Sequence, residues 1–390
     1  MPLFHHPQAF KVAMVAGEAS GDLLAAPLIA AIRAVRPDAE FVGIGGPLMQ
    51  GEGLRSLYPQ EDLAVRGYAE VLKSLPRLLS IRRGLKQAFL ADPPDVFIGI
   101  DAPDFNLGLE KTLKAHGIPT VHYVSPSIWA WRGERIHKIK KAVNHVLALF
   151  PMEEAIYQKA GIPVTYVGHP LAPRFHDLPE RAEMRAQLRL PIASPVFTLL
   201  PGSRVSEIDY MAPLFLETAR RIHAALPEAV FLVPLATRSS RDRFLKILAR
   251  SSLEYLPLRP LYGHAREAVV ASEVVLAASG TVTLEVAMAK RPMVISYRIS
   301  PLTYRIVRRK LKLPYVGLPN ILSGRFVVPE LLQDDATAEN LCRAVLNIYH
   351  DKVYQIWLEQ HFTELHQSLC ADSATLAARA ILDTAKRRES

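Results

Sequence analysis

Residues 11–22 read KVAMVAGEASGD, and this stretch decides the class of fold. Lys11–Ala16 is a short apolar run, the segment GEASGD follows it directly, and residues 23–35 are rich in Leu, Ile and Ala. A continuous apolar strand, a glycine-containing turn and a helix form the opening of a β–α–β unit. The stretch therefore predicts a parallel sheet with helices packed against it.

The same pattern recurs along the chain. Further apolar strands are predicted at 40–44, 96–100, 120–124, 146–150 and 164–167. After an interruption at 168–173, which reads GHPLAP, they are predicted at 196–200, 231–234, 274–277 and 293–297. Strands alternating with helices indicate an α/β protein with two Rossmann-like domains and a cleft between them. We predict domains at 1–170 and 171–345, and a strand-free helical tail at 346–390 that packs on the first domain or on a partner subunit.

Composition excludes several classes of protein. The chain has 390 residues, of which 49% are hydrophobic and 22% charged, so it can bury a core and is not disordered. Its net charge of +9 favours anionic partners. No apolar run reaches the roughly 18–20 residues that span a bilayer. Two distant cysteines exclude a disulfide framework and, with the absence of a signal peptide pattern, favour a cytoplasmic location.

Two loops of the first half follow predicted strands, where open α/β sheets bind ligands. The segment GEASGD at 17–22 is either a ligand loop or a plain turn with Ser20 or Asp22 as the helix N-cap. Asp101 directly follows the strand at 96–100, and a carboxylate there can serve as a general base. Asp104 is better explained as a helix cap. His169, before Pro170, fits a structural and a catalytic role equally.

Two loops of the second half are typical of phosphate binding. Ser203 and Arg204 end the turn PGSR, which offers a hydroxyl and a guanidinium fork beside a helix start. The segment SGTVTLE at 279–285 offers Ser, Gly and Thr in the same setting, with Glu285 one turn into the helix. The alternatives are a capped turn with a solvated Arg204, and a carboxylate favoured by the helix dipole. Two such loops together are more specific than either alone.

Several kinds of site lack their sequence signature. There is no GxGxxG, no Walker loop, no DxD, no HExxH and no nucleophile elbow, and the histidines show no metal-ligand spacing. The sequence therefore predicts no metal and no bound cofactor.

Residues 63–90 form an unusual amphipathic and basic stretch. Apolar side chains at helical spacing are flanked by Lys73, Arg77, Arg82 and Arg83, and Pro76 is expected to start or kink a helix. The stretch is either a helix facing the core or a helix lying in an anionic membrane interface. The candidate membrane residues are Val65, Tyr68, Val71, Leu72, Leu75, Leu78 and Leu79. A second basic tract, at 305–312, shows no aromatic platform for nucleic acid.

Five motifs together carry a family resemblance. They are VAGEASGD at 15–22, GIDAPDFN at 99–106, VSPSIWAWR at 124–132, LLPGSR at 199–204 and SGTVTLE at 279–285. In this order they resemble the lipid-A-disaccharide synthases, glycosyltransferases of the GT-B architecture. That resemblance implies an inverting transfer from UDP-2,3-diacylglucosamine to 2,3-diacylglucosamine 1-phosphate (lipid X), which gives the β(1→6) disaccharide 1-phosphate and UDP. It covers the chain from Val15 to about Asn320.

The resemblance also implies roles for individual residues. Asp101 would be the base, Arg204 would stabilise the departing phosphate and Glu18 would face the acceptor. The residues expected at the donor are Ser203, Ser279, Gly280, Thr281, Glu285 and Asn320. The partners implied are the two lipid substrates, the anionic cytoplasmic face of the inner membrane and a second copy bound through the C-terminal helices. No nucleic acid is implied.

Three alternatives to this function stay open at the level of sequence. A UDP-N-acetylglucosamine 2-epimerase would use the same UDP cradle but has no need of an exposed apolar, basic helix. A non-catalytic sugar-nucleotide or membrane-binding scaffold would be indifferent to substitution at Asp101. A nucleic-acid-binding protein is supported by charge alone and predicts salt-dependent affinity for DNA.

Overall fold

The chain folds into two compact units, Met1–Pro170 with Leu369–Ser390, and Leu171–Ser368. The computed structural model describes residues 3–4, 9–63, 68–126, 128–129, 133–191, 193–300, 304 and 313–386, and it describes residues 68–74 by their backbone only. We call the two parts unit 1 and unit 2.

The described part of unit 1 is a seven-stranded parallel sheet covered by helices. The strands are β1 (Lys11–Ala16), β2 (Glu40–Ile44), β3 (Leu54–Ser56), β4 (Val96–Ile100), β5 (Thr120–Tyr123), β6 (His145–Ala148) and β7 (Val164–Tyr166), in the order β3-β2-β1-β4-β5-β6-β7. The helices are α1 (Ala19–Val35), α2 (Pro47–Gly51), α3 (Tyr68–Ala91), α4 (Pro103–Ala115), α5 (Arg135–Ala142) and α6 (Pro151–Lys159). Every residue of β4 is buried, as expected for a strand covered on both faces.

One late helix returns to unit 1. It spans Ser373–Lys386, after the whole of unit 2 along the chain. Its apolar face, with Ala377 and Ile381, joins the same buried cluster as Leu28 and Ile29 of α1. The opposite face of the sheet is covered by α3 and α4, for example by Phe89.

The described part of unit 2 repeats the architecture with six parallel strands. They are β8 (Val196–Leu200), β9 (Val230–Leu235), β10 (Leu258–Tyr262), β11 (Val274–Ala278), β12 (Met293–Tyr297) and β13 (Glu330–Leu332), in the order β10-β9-β8-β11-β12-β13. The helices are α7 (Arg181–Gln187), α8 (Val205–Ala225), α9 (Arg238–Arg250), α10 (Ala265–Ala271), α11 (Val282–Met288), α12 (Leu318–Ser323), α13 (Ala338–His350) and α14 (Lys352–Leu369). The returning helix of unit 1 is then α15.

The predicted central strands are confirmed, and the misses lie at sheet edges. Strands β3, β10 and β13 were not predicted, and each is the outermost strand on its side of a sheet. Edge strands are covered less completely, so they lack the continuous apolar run that marks a central parallel strand. Helix α1 begins at Ala19, earlier than the predicted residue 23, and it continues through Pro27.

Candidate active site

The four loops singled out from sequence all lie at carboxyl ends of parallel strands. In unit 1, Gly17 follows β1 and Asp101 follows β4, and these two strands are hydrogen-bonded neighbours with Ala16 opposite Ile100. In unit 2, Pro201 follows β8 and Ser279 follows β11, which are also neighbours. Each unit therefore brings its two candidate loops together on adjacent strands.

The loop after β1 differs from the predicted capped turn. Glu18 is the N-cap of α1 by position, with no side-chain capping bond, so the prediction of Ser20 or Asp22 as the cap is wrong. Asp22 lies inside the helix and is buried, and its carboxylate instead accepts from the backbone N–H groups of Leu48 and Met49 at 3.0 and 2.9 Å. Asp22 thus ties α1 to the first turn of α2, and Glu18 remains the half-buried carboxylate of this loop.

Asp101 occupies a strained turn. Its φ is 52° and that of Ala102 is 43°, which puts two consecutive non-glycine residues in the left-handed region. Each such residue costs about 1–3 kcal/mol and persists only where the surroundings hold it. The backbone N–H of Asp101 donates to the carbonyl of Tyr123 at 2.8 Å, which ties the turn to β5. The Asp101 side chain is half-buried beside this tie.

Asp104 is not the helix cap predicted from the sequence, because Ala102 is the N-cap of α4 and no side chain caps this helix. Asp104 lies in the first turn of α4 with its side chain 85% exposed, and its carboxylate is 2.8 Å from the Arg135 guanidinium. An exposed pair of this kind contributes little to stability. The two aspartates of one motif are therefore in very different settings.

Sequence reasoning missed a buried carboxylate near the same edge of the sheet. Glu153 of α6 accepts from the indole N–H of Trp129 at 3.1 Å and from the backbone N–H groups of Leu149 and Phe150 at 3.1 Å. Burial raises the pKa of Glu153 to about 7, against these stabilising hydrogen bonds. The available signal was Pro151 followed by Glu at the third helical position, which is typical of a helix start.

A buried histidine packs on Phe150, the residue whose backbone N–H donates to Glu153. The His169 ring lies 5.5 Å from the Phe150 ring, and burial lowers the pKa of His169 to about 4. His169 is therefore neutral at pH 7, and its backbone N–H donates to Leu369 at 2.9 Å.

The loop after β8 offers a ligand exposed side-chain donors, because two of its backbone N–H groups are already hydrogen-bonded. The N–H groups of Ser203 and Arg204 donate to the Glu207 carboxylate at 2.9 and 3.2 Å, so these backbone donors are engaged. The Arg204 side chain is 69% exposed and 3.2 Å from the same carboxylate. Gly202 has a φ of 117°, and a Cβ there would lie 2.5 Å from the Glu207 Cβ. The side-chain donors that this loop offers to a ligand are the Ser203 hydroxyl and the Arg204 guanidinium.

The loop after β11 is open at its tip. Gly280 and Thr281 are exposed, and a Cβ on Gly280 would meet nothing within 4 Å. The Ser279 hydroxyl lies 3.5 Å from the carbonyl of Val316. Glu285, one turn into α11, is half-buried; burial raises its pKa, and the nearby Arg174 opposes that rise.

Asn320 is fully buried and has a complete set of hydrogen bonds. Its amide nitrogen donates to Val328 at 3.0 Å and to Glu330 at 2.7 Å, and its oxygen accepts from the N–H groups of Val327 and Val328. This buried side chain therefore holds residues 327–330 in place by hydrogen bonds and has no exposed surface of its own.

From Tyr68 onward the amphipathic stretch forms helix α3, which runs through Pro76. Leu75 and Leu79 are 43% and 42% exposed, and Leu78 is half-buried. Val65, the side chains of Tyr68, Val71 and Leu72, and the basic tract at 305–312 lie outside what the structure describes. Among the described helices, none combines the length and the apolar character needed to cross a membrane.

Comparison with protein sequences identifies relatives along almost the whole chain. A sequence model of the lipid-A-disaccharide synthetase family matches residues 12–381. A lipid-A-disaccharide synthase of Chromobacterium violaceum is 62% identical over 384 residues, which cover 98% of this chain and 100% of the relative. Another, from Dechloromonas aromatica, is 54% identical and covers 96% and 98% respectively.

Solved structures share the fold at low sequence identity. The glycosyltransferase of kitacinnamycin superposes with a TM-score of 0.63 at 16% identity, covering 97% of this chain and 100% of that chain. MurG of Acinetobacter baumannii gives 0.58 at 12% identity, with 96% and 99% covered. The UDP-GlcNAc 2-epimerase of Neisseria meningitidis bound to UDP-GlcNAc gives 0.62 at 11%, with 97% and 100% covered. The predicted GT-B type of α/β fold is thereby confirmed.

Proposed function

This chain belongs to the lipid-A-disaccharide synthetase family, and we propose that its two units divide the two substrates of that reaction between them. As a member of the family it is a glycosyltransferase that makes the lipid A disaccharide. The donor we propose is UDP-2,3-diacylglucosamine, and the acceptor is 2,3-diacylglucosamine 1-phosphate. The products are the β(1→6) disaccharide 1-phosphate and UDP.

Unit 1 supplies the acceptor half of this proposal. The observation that carries it is the strained turn that holds the half-buried Asp101 carboxylate at the carboxyl end of β4. Asp101 takes the proton of the acceptor 6-hydroxyl while that oxygen bonds to the anomeric carbon of the donor. The bond from this carbon to UDP breaks, its electron pair leaves with UDP, and the configuration inverts. Glu18, in the loop that follows the adjacent strand β1, contacts the acceptor sugar.

Unit 2 supplies the donor half. The exposed Arg204 guanidinium and the Ser203 hydroxyl bind the pyrophosphate, and Arg204 stabilises the charge that grows on it as the bond breaks. The open tip of the β11 loop, formed by Ser279, Gly280 and Thr281, binds the same group. Glu285 accepts hydrogen bonds from the ribose hydroxyls. Asn320 is fully buried, so it supports the donor site indirectly through the backbone that it holds and does not contact UDP.

We propose that the reaction needs no metal ion, because Arg204 already supplies positive charge where the pyrophosphate departs.

We also propose that the enzyme acts at the cytoplasmic face of the inner membrane. Leu75 and Leu79 of α3 are exposed, and Arg77 of the same helix is also exposed, although it pairs with Asp62 at 2.7 Å; apolar and basic side chains on one helix fit an anionic interface. We place a homodimer contact on α14, where Val353 and Ile356 are 80% and 58% exposed.

The test uses the purified full chain with both lipid substrates in detergent, with and without EDTA, and measures UDP and disaccharide. Asp101→Ala is compared with Asp104→Ala, an exposed aspartate three residues away that serves as the matched control. Loss of a general base is expected to lower kcat by about 10²–10⁴. The Asp104 variant is expected to keep the wild-type rate.

Each result has a distinct meaning. Equal activity of both variants would remove Asp101 from the reaction and leave the glycosyltransferase assignment standing. Loss of activity in EDTA, restored by a divalent cation, would overturn the metal-independent mechanism. Absence of disaccharide from folded wild-type protein that still binds UDP would overturn the proposed substrates.

A further inference from the structure

A buried asparagine lies directly beneath the strained turn. Asn106 of α4 has no solvent exposure, and its amide nitrogen faces three backbone carbonyls. The distances are 2.9 Å to Asp101, 3.4 Å to Ile100 and 3.2 Å to Val15 of the neighbouring strand. An amide nitrogen carries two hydrogens, so the three carbonyls share them. One side chain thus joins the ends of β1 and β4 to the residue that follows β4.

The orientation of this amide is fixed by its surroundings. Turning the amide over would place its oxygen against three carbonyl oxygens, all of which are acceptors. The helix is also held close to the strand, because a Cβ on Gly99 would lie 2.9 Å from the Asn106 Cβ. The Asn106 donor is therefore held directly at the Asp101 carbonyl.

The turn needs such a restraint. Left-handed backbone at both Asp101 and Ala102 is unfavourable for residues with a side chain and relaxes unless other contacts hold it. On one side the turn is held by the bond from the Asp101 N–H to Tyr123. On the other side, the Asn106 side chain holds the Asp101 carbonyl, and the Asn106 backbone N–H holds the Ala102 carbonyl at 3.0 Å.

We propose that Asn106 is a positioning residue that fixes the backbone of Asp101 and thereby aims its carboxylate at the acceptor hydroxyl. This inference rests on the proposed role of Asp101 as the base. Asn106 touches no substrate, since it is fully buried. Its contribution is geometric, and a displacement of about 1 Å at a reacting group costs about 10²-fold in rate.

The first test is Asn106→Leu, which keeps the branched shape and the number of side-chain heavy atoms and removes the donor. We expect kcat to fall by roughly 10–100-fold while KM for both lipid substrates stays within about threefold. A control in the same unit is Asn144→Leu, at an exposed asparagine. Asn144 also bonds backbone in unit 1, accepting from the Thr120 N–H at 3.0 Å at the opposite end of β5. A fall of kcat in the control as large as that in Asn106→Leu would overturn the proposal.

The second test is a double-mutant cycle with Asp101→Ala. If Asn106 acts through Asp101, adding Asn106→Leu to Asp101→Ala changes the residual rate by less than about twofold. The same fold-loss in both backgrounds would mean a merely structural role and would overturn the proposal. Full activity of Asp101→Ala alone would instead overturn the proposed base. If Asn106→Leu does not fold, Asn106→Ala, which inserts no methyl groups against the carbonyls, is put through the same cycle.

Discussion

The Glu330 carboxylate accepts a 2.7 Å hydrogen bond from the amide nitrogen of the buried Asn320. Glu330 also accepts from the backbone N–H groups of Val316 at 2.7 Å and Gly317 at 2.9 Å. The Val316 carbonyl in turn lies 3.5 Å from the Ser279 hydroxyl of the proposed donor loop. The Glu330 carboxylate of the edge strand β13 therefore links this strand to residues 316–317 and to α12, beside the donor loop.

Glu330→Gln is expected to weaken UDP binding by roughly tenfold. The carboxylate faces only donors, so the amide nitrogen of a glutamine would leave at least one of them unpaired, at a cost of about 1–3 kcal/mol. Calorimetric titration with UDP measures the change. Glu339→Gln, at an exposed glutamate 3.0 Å from the Arg343 guanidinium, is the control and should bind UDP as wild type does. Unchanged UDP affinity in Glu330→Gln would show that the hydrogen bonds of Glu330 do not support UDP binding.

Glu153 and His169 are expected to give opposite pH dependences of stability. Burial raises the pKa of Glu153 from 4.5 to about 7, so the folded state holds the extra proton and stability falls as pH rises through that window. Burial lowers the pKa of His169 from 6.5 to about 4, so the unfolded state holds the extra proton and stability rises with pH between those values. Each effect amounts to about 3 kcal/mol, and they oppose each other between about pH 4.5 and 6.5.

Thermal melts across that range test both effects. Relative to wild type, Tm of Glu153→Gln should rise with pH, and Tm of His169→Gln should fall with pH. His116→Gln, at an exposed histidine, should follow the wild-type curve. Parallel curves for all four proteins would contradict the assigned pKa shifts.

Leu75→Ser combined with Leu79→Ser is expected to lower binding to phosphatidylglycerol vesicles by about tenfold or more. Both side chains are nearly half exposed, and each loses apolar area that an interface would bury. Vesicle co-sedimentation measures binding, and added salt should weaken it further. The control pair, Val35→Ser with Leu48→Ser, removes apolar side chains elsewhere in unit 1 that are more exposed than Leu75 and Leu79. Equal loss in both pairs would contradict a specific role of α3.

Gly99→Ala is expected to destabilise unit 1 by about 1–3 kcal/mol and to lower kcat. Its new methyl group would lie 2.1 Å from a carboxylate oxygen of Glu110, a fully buried residue paired with His122 at 2.7 Å. Because α4 also carries Asn106, pushing this helix away from β4 disturbs the Asp101 turn. Denaturant unfolding and the disaccharide assay measure the two effects. Gly51→Ala, at a site with open space around the Cβ, should leave both unchanged.

The sequence predicted what depends on short stretches of chain. Central strands such as β1 and β4 are continuous apolar runs, and the loops after them follow directly, so both were correctly located. The short edge strand β3 escaped prediction because its burial depends on what packs beside it. Contacts between distant residues were also missed. Only the folded chain shows that Asp22 accepts hydrogen bonds from the N–H groups of Leu48 and Met49. The same holds for the hydrogen bond from Trp129 to the buried Glu153.

Helix α15 gives the two units different histories during synthesis. Unit 2 is continuous along the chain, so all its residues are synthesised before residues 373–386. The core of unit 1 includes Ala377 and Ile381, so it stays open at α1 until translation has passed beyond unit 2. Synthesis of unit 1 therefore begins first, but its core is completed last. Domains generally fold in order from the N-terminus, so this order is reversed here. A nascent chain that stalls within unit 2 presents the apolar face of α1 to chaperones.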